Sequence, residues 1–373
     1  MSVKVPFVDL SRQYQAYKQE IDETFQRVAS SGAYVMGPEV EQFETELAAL
    51  CETEYALTVA NGTDALILAM RALGIGPGDE VITAPNSFIA SAGAIAAVGA
   101  TIRFADISED YNINPESIER AVTNRTKAIM PIHLTGRTAR MDQINDIAKA
   151  HNLYVIEDAA QAIGAKYKGR PAGSLGDIGC FSLHPLKNLF VMGDGGFMTF
   201  SDPELYEKLK TMRNHGLVNR NECASWGLNS RLDTMLAAMG LLKLKYFDDI
   251  TNSFRTIAGL YQQGLKDIVT VPRDSGDEYA VYHNFVIRTE RRDELQKFLT
   301  DRNIGCAIHY PIPLHLQPAA KDLGYKAGDF PVTEKIIATQ LSLPIFPELT
   351  REEINSVTGA IRAFFDNAGQ EQT

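Results

Sequence analysis

The 373-residue sequence has only four cysteines, one tryptophan and no long uninterrupted apolar run. Cys51, Cys180, Cys223 and Cys306 are far apart and lack metal-type spacing, so we expect them to be reduced or buried thiols. The short apolar runs predict that no helix crosses a membrane. The N-terminal "MSVKVPFVDL" lacks the long apolar core of a signal peptide, so we expect a cytoplasmic protein.

Positive charge is also scarce. The chain has 36 Lys and Arg residues against 47 Asp and Glu residues, which gives a net charge of −11. This balance argues against nucleic acid or an anionic membrane as the main partner. An anionic small molecule stays possible, because local hydrogen-bond donors can override net charge. The length suits one large domain and a smaller one.

Helical and strand-like patterns alternate through the first 230 residues. Helical spacing covers 62–74, 88–100 and 141–151, and apolar strand-like runs include "EVITAP", "TIRFADI", 127–134 and 153–158. Strands that are apolar throughout and separated by helices indicate a sheet covered on both faces. The sequence therefore predicts an α/β fold with a mostly parallel central sheet.

The pattern changes after about residue 230. One long helical stretch is predicted over 232–265, followed by a strand-like run over 279–289 and a terminal helix that begins at "TREEINSV". We interpret this part as a smaller α+β domain. The predicted division is 1–245 for the large domain, including an N-terminal arm, and 246–373 for the small one.

Lys187 lies in the segment 176–200, "GDIGCFSLHPLKNLFVMGDGGFMTF", which has almost no other charge. Burial of a lysine amine lowers its pKa, because desolvation disfavours the ammonium form. The neutral amine is a nucleophile suited to a Schiff base with a carbonyl compound. The alternative is a lysine whose aliphatic stem is buried while its amine reaches the surface.

Two further fragments could bind the ends of a ligand. In "NGTDAL", Gly62 and Thr63 open a helix, and free N–H groups at a helix start bind anions. In "VIEDAAQAIGA", Asp158 ends an apolar strand, where ligands of α/β sheets bind. The alternative for each is an ordinary helix cap, and "GLNSRLD" (227–233) by itself indicates only a loop and a helix start.

Together these fragments describe one ligand. It has a phosphate for Thr63 and Ser182, a ring nitrogen kept protonated by Asp158, and an aldehyde for Lys187. Pyridoxal 5′-phosphate has all three groups, and its protonated ring acts as an electron sink.

The chain resembles the sugar aminotransferases of the DegT/DnrJ/EryC1/StrS family, which have the fold type I architecture of aspartate aminotransferase. The resemblance covers nearly the whole length. Its motifs here are "VPFVDLSRQY", "GAYVMGPEVEQFE", "ANGTDAL", "IEDAAQAIGA", "GDIGCFSLHPLKN", "GDGG", "RNHG", "IHYPIPLHLQP" and "LSLPIFPELT".

The resemblance implies a role for each cofactor-site residue. Lys187 forms the internal aldimine and moves the proton, and Asp158 pairs with the pyridinium nitrogen. The remaining roles are a hydrogen bond to the 3-hydroxyl from Gln161, ring stacking by Phe88, and phosphate binding by Gly62, Thr63, the backbone of Asp64, Ser182, and Asn229 of the partner subunit. The contribution from the partner implies a homodimer with shared active sites.

The candidates for the substrate side are Tyr34, His184, Arg220, His309, Tyr310 and His315. Arg220 is the choice for an anionic part of the substrate. For His315 the alternative is a structural histidine with satisfied hydrogen bonds. The linker "LVNRNECASW" is shorter than in many relatives, where it carries a lysine or histidine near a nucleotide diphosphate.

The predicted reaction is transfer of an amino group from L-glutamate to a keto-sugar, with release of 2-oxoglutarate and ping-pong kinetics. The keto-sugar is a nucleotide-linked 3- or 4-keto-6-deoxyhexose or a related keto-sugar. The alternative is a non-nucleotide keto-sugar such as 8-oxo-3,8-dideoxy-octulosonate, made for lipopolysaccharide. A dehydratase of the same family would have histidine in place of Lys187, and a regulatory protein without turnover would not need these groups.

Overall fold

The computed structural model describes residues 4–370 of the chain. Its α-helices are, in chain order, α1 (Leu10–Ala16), α2 (Lys18–Ser31), α3 (Pro38–Leu50), α4 (Gly62–Ala72), α5 (Ile89–Ala97), α6 (Pro115–Ala121), α7 (Met141–His151), α8 (Pro203–Met212), α9 (Thr234–Leu244), α10 (Phe247–Leu265), α11 (Arg292–Thr300), α12 (Pro331–Thr339) and α13 (Arg351–Gln370). Short 3₁₀ helices cover Leu134–Gly136, Leu314–Leu316 and Pro318–Leu323.

The strands form one large sheet and two small ones. They are β1 (Tyr55–Val59), β2 (Glu80–Thr83), β3 (Thr101–Phe104), β4 (Thr126–Met130), β5 (Tyr154–Asp158), β6 (Lys166–Tyr167), β7 (Arg170–Pro171), β8 (Ile178–Ser182), β9 (Gly196–Phe200), β10 (Glu278–Tyr279), β11 (Phe285–Arg288) and β12 (Gln340–Leu343). The seven-stranded sheet has the order β1-β9-β8-β5-β4-β2-β3. Only the pairings of β9 with β1 and β8 are antiparallel in it.

The strands of the large sheet are apolar because helices cover both of its faces. Strand β2 is buried at every position and strand β5 at every position after its first. Buried side chains of α4 pack on one side of the sheet, and buried side chains of α7 pack on the other. A separate apolar cluster lies among α10, α11, β11, β12 and α13. The predicted α/β fold with a mostly parallel sheet is confirmed.

The prediction of one long helix over 232–265 is wrong. Helix α9 ends at Leu244 and α10 begins at Phe247. Tyr246, at the break, has φ −109° and ψ 7°. Its ring lies 4.5 Å from the ring of Tyr17 on the preceding N-terminal segment, and its hydroxyl donates to Glu20. These long-range contacts override the local helical pattern.

The strand-like run over 279–289 is also interrupted. Only β10 and β11 are extended, and Tyr282 between them has φ +50°. The backbone N–H of Val281 donates to the carbonyl oxygen of Gly136 at 2.9 Å. The segment 280–284 therefore lies against the 3₁₀ helix Leu134–Gly136, which follows β4, instead of continuing a strand.

The predicted domain boundary at 245/246 coincides with the break between α9 and α10. Near the N-terminus, Val5 forms a bridge with Ile304 and belongs to the apolar cluster of the C-terminal part. The N-terminal segment thus contacts both parts of the chain, and the division at 245/246 stays a prediction.

Candidate active site

A cavity of about 370 Å³ opens where the parallel strands of the large sheet end. Asp158 is the last residue of β5 and Ser182 the last of β8, and α4 begins beside them. Ten of the residues proposed from the sequence line this cavity: Gly62, Thr63, Phe88, Asp158, Gln161, Ser182, His184, Lys187, His309 and Tyr310. Residues far apart in the sequence are thus brought to one place, as expected at the carboxyl ends of such strands.

The start of α4 forms a donor cradle at one end of the cavity. The Asn61 side chain caps the helix by accepting a hydrogen bond from the backbone N–H of Asp64 at 2.8 Å. The N–H groups of Gly62 and Thr63 precede the first intrahelical bonds. A side chain at Gly62 would approach the Cβ of Ser182 to 3.0 Å, so only glycine lets the cradle and Ser182 lie this close.

That the backbone of Asp64 binds the phosphate stays a prediction. Its N–H group already donates to Asn61, and its side chain accepts a hydrogen bond from the Ser230 hydroxyl at 2.6 Å. Asp64 therefore ties α4 to the loop that precedes α9, and it does not line the cavity.

Of the two acidic residues at the end of β5, only Asp158 faces the cavity. Consecutive strand residues point to opposite faces. Glu157 is fully buried on the other face, where it accepts from Gly173, Leu175 and Gly176 backbone N–H groups at 2.7–2.8 Å and lies 2.9 Å from the His133 ring. Glu157 is a structural residue.

Asp158 is a buried carboxylate, with 5% of its surface exposed. Its Oδ2 accepts from the Ser91 hydroxyl at 2.7 Å, and its Oδ1 accepts from the Ala160 N–H at 3.3 Å. Burial raises its pKa above the usual range, and the bond from Ser91 and the nearby Lys187 oppose this rise. A buried carboxylate held this way is suited to a cationic partner.

Lys187 lies in a tight turn after β8. Its backbone N–H donates to the carbonyl oxygen of His184 at 2.8 Å, and Val191 N–H donates to Leu183 at 2.9 Å. Burial lowers the pKa of its amine to about 8, although the Asp158 carboxylate favours the charged form. A substantial part of the amine is therefore neutral slightly above neutral pH.

Three side chains shape the cavity between Asp158 and its mouth. Gln161 is oriented by the Thr135 N–H, which donates to its Oε1 at 2.8 Å, and its Nε2 donates to the Tyr310 hydroxyl at 3.4 Å. The rings of Tyr310 and Phe88 lie 5.6 Å apart. Phe88 is half exposed, so one of its faces is available to a ligand.

Tyr34, Arg220 and Asn229 do not line the cavity of this protomer, and all three are exposed. Tyr34 precedes Val35, which forms a backbone bridge with Asp233, and Asn229 itself forms a bridge with Asn214. Their positions fit a site completed by a second copy of the chain, which stays a prediction.

His315 lies outside the cavity, and its contacts favour the structural alternative. It is buried in the 3₁₀ helix Leu314–Leu316. Its Nε2 is 3.1 Å from Glu334 Oε1, and its ring meets the Phe330 ring edge-on at 4.7 Å. Its buried Nδ1 has no hydrogen-bond partner among the described residues, so only one of its two nitrogens is satisfied.

Sequence reasoning missed Ser91, Asn188 and His283. Ser91 follows Phe88 by three residues on α5, so helical spacing could have placed it on the cavity side. Asn188 is adjacent to Lys187, yet adjacency alone does not identify a role. His283 lines the cavity because the segment 280–284 packs against the 3₁₀ helix Leu134–Gly136.

The model of the DegT/DnrJ/EryC1/StrS aminotransferase family matches residues 15–362. The chain belongs to this family. It is 43% identical to "Pleiotropic regulatory protein" of Geobacillus stearothermophilus, over 97% of this chain and 99% of the relative. It is 42% identical to the dTDP-3-amino-3,4,6-trideoxy-alpha-D-glucose transaminase of Streptomyces venezuelae, over 98% of each chain.

Other relatives are named as transaminases of dTDP- and UDP-linked sugars. Among solved structures, the chain superposes with a TM-score of 0.95 on S. venezuelae DesV in complex with ketimine intermediate, at 43% identity over 97% of this chain and 98% of that one. The predictions of the family, of the fold type and of a pyridoxal phosphate-dependent sugar aminotransferase are confirmed. Within residues 4–370, no helix has the length and apolarity needed to cross a membrane.

The residues present fit pyridoxal phosphate. The glycine-dependent cradle at the start of α4, together with the Ser182 hydroxyl, provides donors for a phosphate. The buried Asp158 carboxylate suits a protonated ring nitrogen, and the lowered pKa of Lys187 suits an amine that reacts with an aldehyde.

Proposed function

We propose that this protein transfers an amino group from L-glutamate to a nucleotide-linked keto-sugar, with 2-oxoglutarate as the second product. The observation that carries the proposal is the joint lining of one cavity by Lys187, Asp158 and the start of α4, in a family of aminotransferases. The dTDP- and UDP-linked substrates named for its relatives favour a nucleotide-linked sugar over the free octulosonate.

In this proposal Gly62, Thr63 and Ser182 hold the cofactor phosphate, and Phe88 packs against the ring. Gln161 hydrogen-bonds the ring hydroxyl while Thr135 fixes its orientation. When bound, pyridoxal phosphate supplies an aldehyde that exchanges amines and a ring that delocalises electrons.

Two residues carry the acid–base work. Asp158 keeps the ring nitrogen protonated, and Ser91 keeps Asp158 ionised and in place. Lys187 attaches the cofactor and moves the proton on the substrate carbon. A group whose pKa is about 8 can both accept and release a proton near neutral pH.

The sugar side is lined by neutral groups. Burial and the Lys187 amine lower the pKa of His309 to about 4, so this imidazole is uncharged at pH 7. Burial raises the pKa of Tyr310 to about 12, so its phenol is also uncharged. These groups and His184 suit sugar hydroxyls. The candidate for the diphosphate is Arg220, which is exposed and does not line the cavity of its own protomer.

We further propose a homodimer in which Asn229 of the partner subunit completes the phosphate site. Large apolar side chains are exposed around the segments that carry Asn229 and the cavity mouth: Tyr34, Val35, Met36, Leu186, Met192 and Trp226. Trp226 is 94% exposed in the single chain. Exposed apolar groups in this number indicate an interaction surface.

The test is a panel of keto-sugars that are dTDP-linked, UDP-linked or free, each assayed with L-glutamate for release of 2-oxoglutarate and for the amino sugar formed. We expect turnover of a nucleotide-linked member and parallel lines in double-reciprocal plots. Turnover of the free keto-sugar alone would overturn the nucleotide part of the proposal. If glutamate releases no 2-oxoglutarate from the cofactor-loaded protein, the donor assignment fails.

A further inference from the structure

Backbone contacts of the segment around His283 place this residue in the wall of the cavity. It lies between β10 and β11, in the segment 280–284. The Val281 N–H donates to the carbonyl oxygen of Gly136 at 2.9 Å. A side chain at Gly136 would come within 2.8 Å of the backbone nitrogen of His283. The close packing of this glycine fixes the histidine relative to the large sheet.

Lys187 and His283 line the same two cavities. They both line the active-site cavity, and both also line a second void of about 40 Å³, bounded by the N-terminal segment and by residues 345–348. The two side chains therefore share the wall between these spaces. Asn188, which directly follows Lys187 in the chain, connects them.

The Asn188 side chain defines which nitrogen of His283 carries the proton. Asn188 is 3% exposed, and its Nδ2 donates to the Val281 carbonyl oxygen at 3.0 Å. Its Oδ1 therefore faces His283 Nδ1, at 3.2 Å. An amide oxygen only accepts, so Nδ1 of a neutral His283 must be the donor. The other ring nitrogen, Nε2, then has a free lone pair.

The charges around His283 favour this neutral form. Burial lowers its pKa, and the Lys187 ammonium and His309 lower it further. A hydrogen bond from His283 to the Asp158 carboxylate would favour the charged imidazolium. The Asp158 oxygens accept from the Ser91 hydroxyl and the Ala160 N–H, and no bond from His283 to them is present among the described residues. His283 is thus an uncharged ring with a defined tautomer at pH 7.

We propose that His283 is a positioning residue for Lys187: when the lysine amine is released from the cofactor, the lysine side chain turns along the shared wall and donates a hydrogen bond to Nε2 of His283. Among the described residues the two side chains are not hydrogen-bonded, so the bond requires this turn. This bond directs the amine along one wall of the cavity and stabilises its protonated form against burial. Asn188 acts through His283 by fixing the tautomer. The inference rests on the proposed role of Lys187 as the cofactor-attaching amine.

The experiment measures cofactor attachment, not turnover. Protein freed of cofactor is mixed with pyridoxal phosphate, and the rate of attachment is followed by visible absorbance between pH 6 and pH 10. Burial and the Asp158 carboxylate alone place this pKa at about 8, so the wild type, in which His283 adds its bond, should give a higher apparent value. In His283→Phe this pKa should fall by about one pH unit, the size expected for loss of one hydrogen bond to an ammonium group.

Three further variants separate positioning from structure. Asn188→Leu should give a shift in the same direction, and adding it to His283→Phe should give little more, because both remove one interaction. His283→Gln, which can still offer an acceptor, should recover part of the shift. His315→Phe replaces a buried histidine outside the cavity and should leave the pKa unchanged.

An unchanged or raised pKa in a folded His283→Phe protein would overturn the inference. Should that variant not fold, an unchanged or raised pKa in a folded Asn188→Leu protein overturns the inference instead. Borohydride reduction and peptide mapping distinguish the two levels of failure. If reduction labels another lysine, the proposed function fails; if it labels Lys187 while the pH profile is unchanged, only the role of His283 fails.

Discussion

Replacing Lys187 with methionine should stabilise the cofactor-free protein, and only at the lower pH values. Burial lowers the amine pKa from 10.5 to about 8, so the folded state binds protons less tightly than the unfolded chain. The unfolding free energy of the wild type therefore rises with pH between these two values. Methionine has a similar shape without a charge, so the variant lacks this slope.

The magnitude follows from the two pKa values. A difference of about 2.5 units corresponds to about 3 kcal/mol below pH 7, at 1.36 kcal/mol per unit. About half of this advantage should remain at pH 9.5, and none well above pH 10.5. Asp158 makes the stability gain of Lys187→Met smaller, because its carboxylate loses a nearby positive charge in that variant. The double variant with Asp158→Asn removes that opposing effect.

The assay is urea unfolding of cofactor-free protein at pH 6 and pH 9.5, at one protein concentration because dimerisation would affect the midpoint. Lys166→Met is the matched control, since Lys166 is an exposed residue of β6 outside the cavity. Equal stability differences at the two pH values would refute the reasoning. So would a Lys187→Met protein that is less stable than the wild type at pH 6.

Three other changes test the site. Asp158→Asn should lower kcat by at least about a hundredfold, roughly 3 kcal/mol, while cofactor affinity falls much less; an unchanged kcat contradicts the assignment. Ser91→Ala should lower kcat about tenfold through loss of a bond to a buried carboxylate, whereas Ser91→Thr should retain most activity. Asn229→Ala should weaken cofactor affinity about tenfold or more, as measured by equilibrium titration. Mixing inactive Lys187→Ala chains with chains carrying a bulky residue at 229 should restore part of the activity, unless Asn229 serves its own subunit.

The sequence was most informative where one residue's chemistry conflicts with its surroundings. Lys187 stands alone among apolar residues, and this predicted the desolvation of its amine and the lowered pKa that follows. Asp158 was identified by its position at a strand end. His315 was proposed for the site together with His309 and Tyr310 of "IHYPIPLHLQP", which line the cavity, but its own ring lies in a 3₁₀ helix and faces Glu334. The residues next to His315 in the sequence do not determine the orientation of its side chain.

Contacts between distant segments account for the other differences. The break at Tyr246 depends on Tyr17 and Glu20, more than 200 residues earlier in the chain. The role of His283 depends on Gly136, which holds its backbone, and on Asn188, which orients its ring. Helical or strand periodicity reports the local burial pattern, so it cannot reveal such pairs.

The cavity brings together two groups of opposite charge, and desolvation disfavours the charged form of each. The Lys187 ammonium and the Asp158 carboxylate favour each other, yet the pKa of each is shifted toward its neutral form. They are also not joined by an ion pair among the described residues. A ligand that brings a cationic ring nitrogen to Asp158 and takes the charge from Lys187 would relieve both costs at once. The selectivity of the site for pyridoxal phosphate would then come from burial of these two charges as much as from the phosphate cradle of α4.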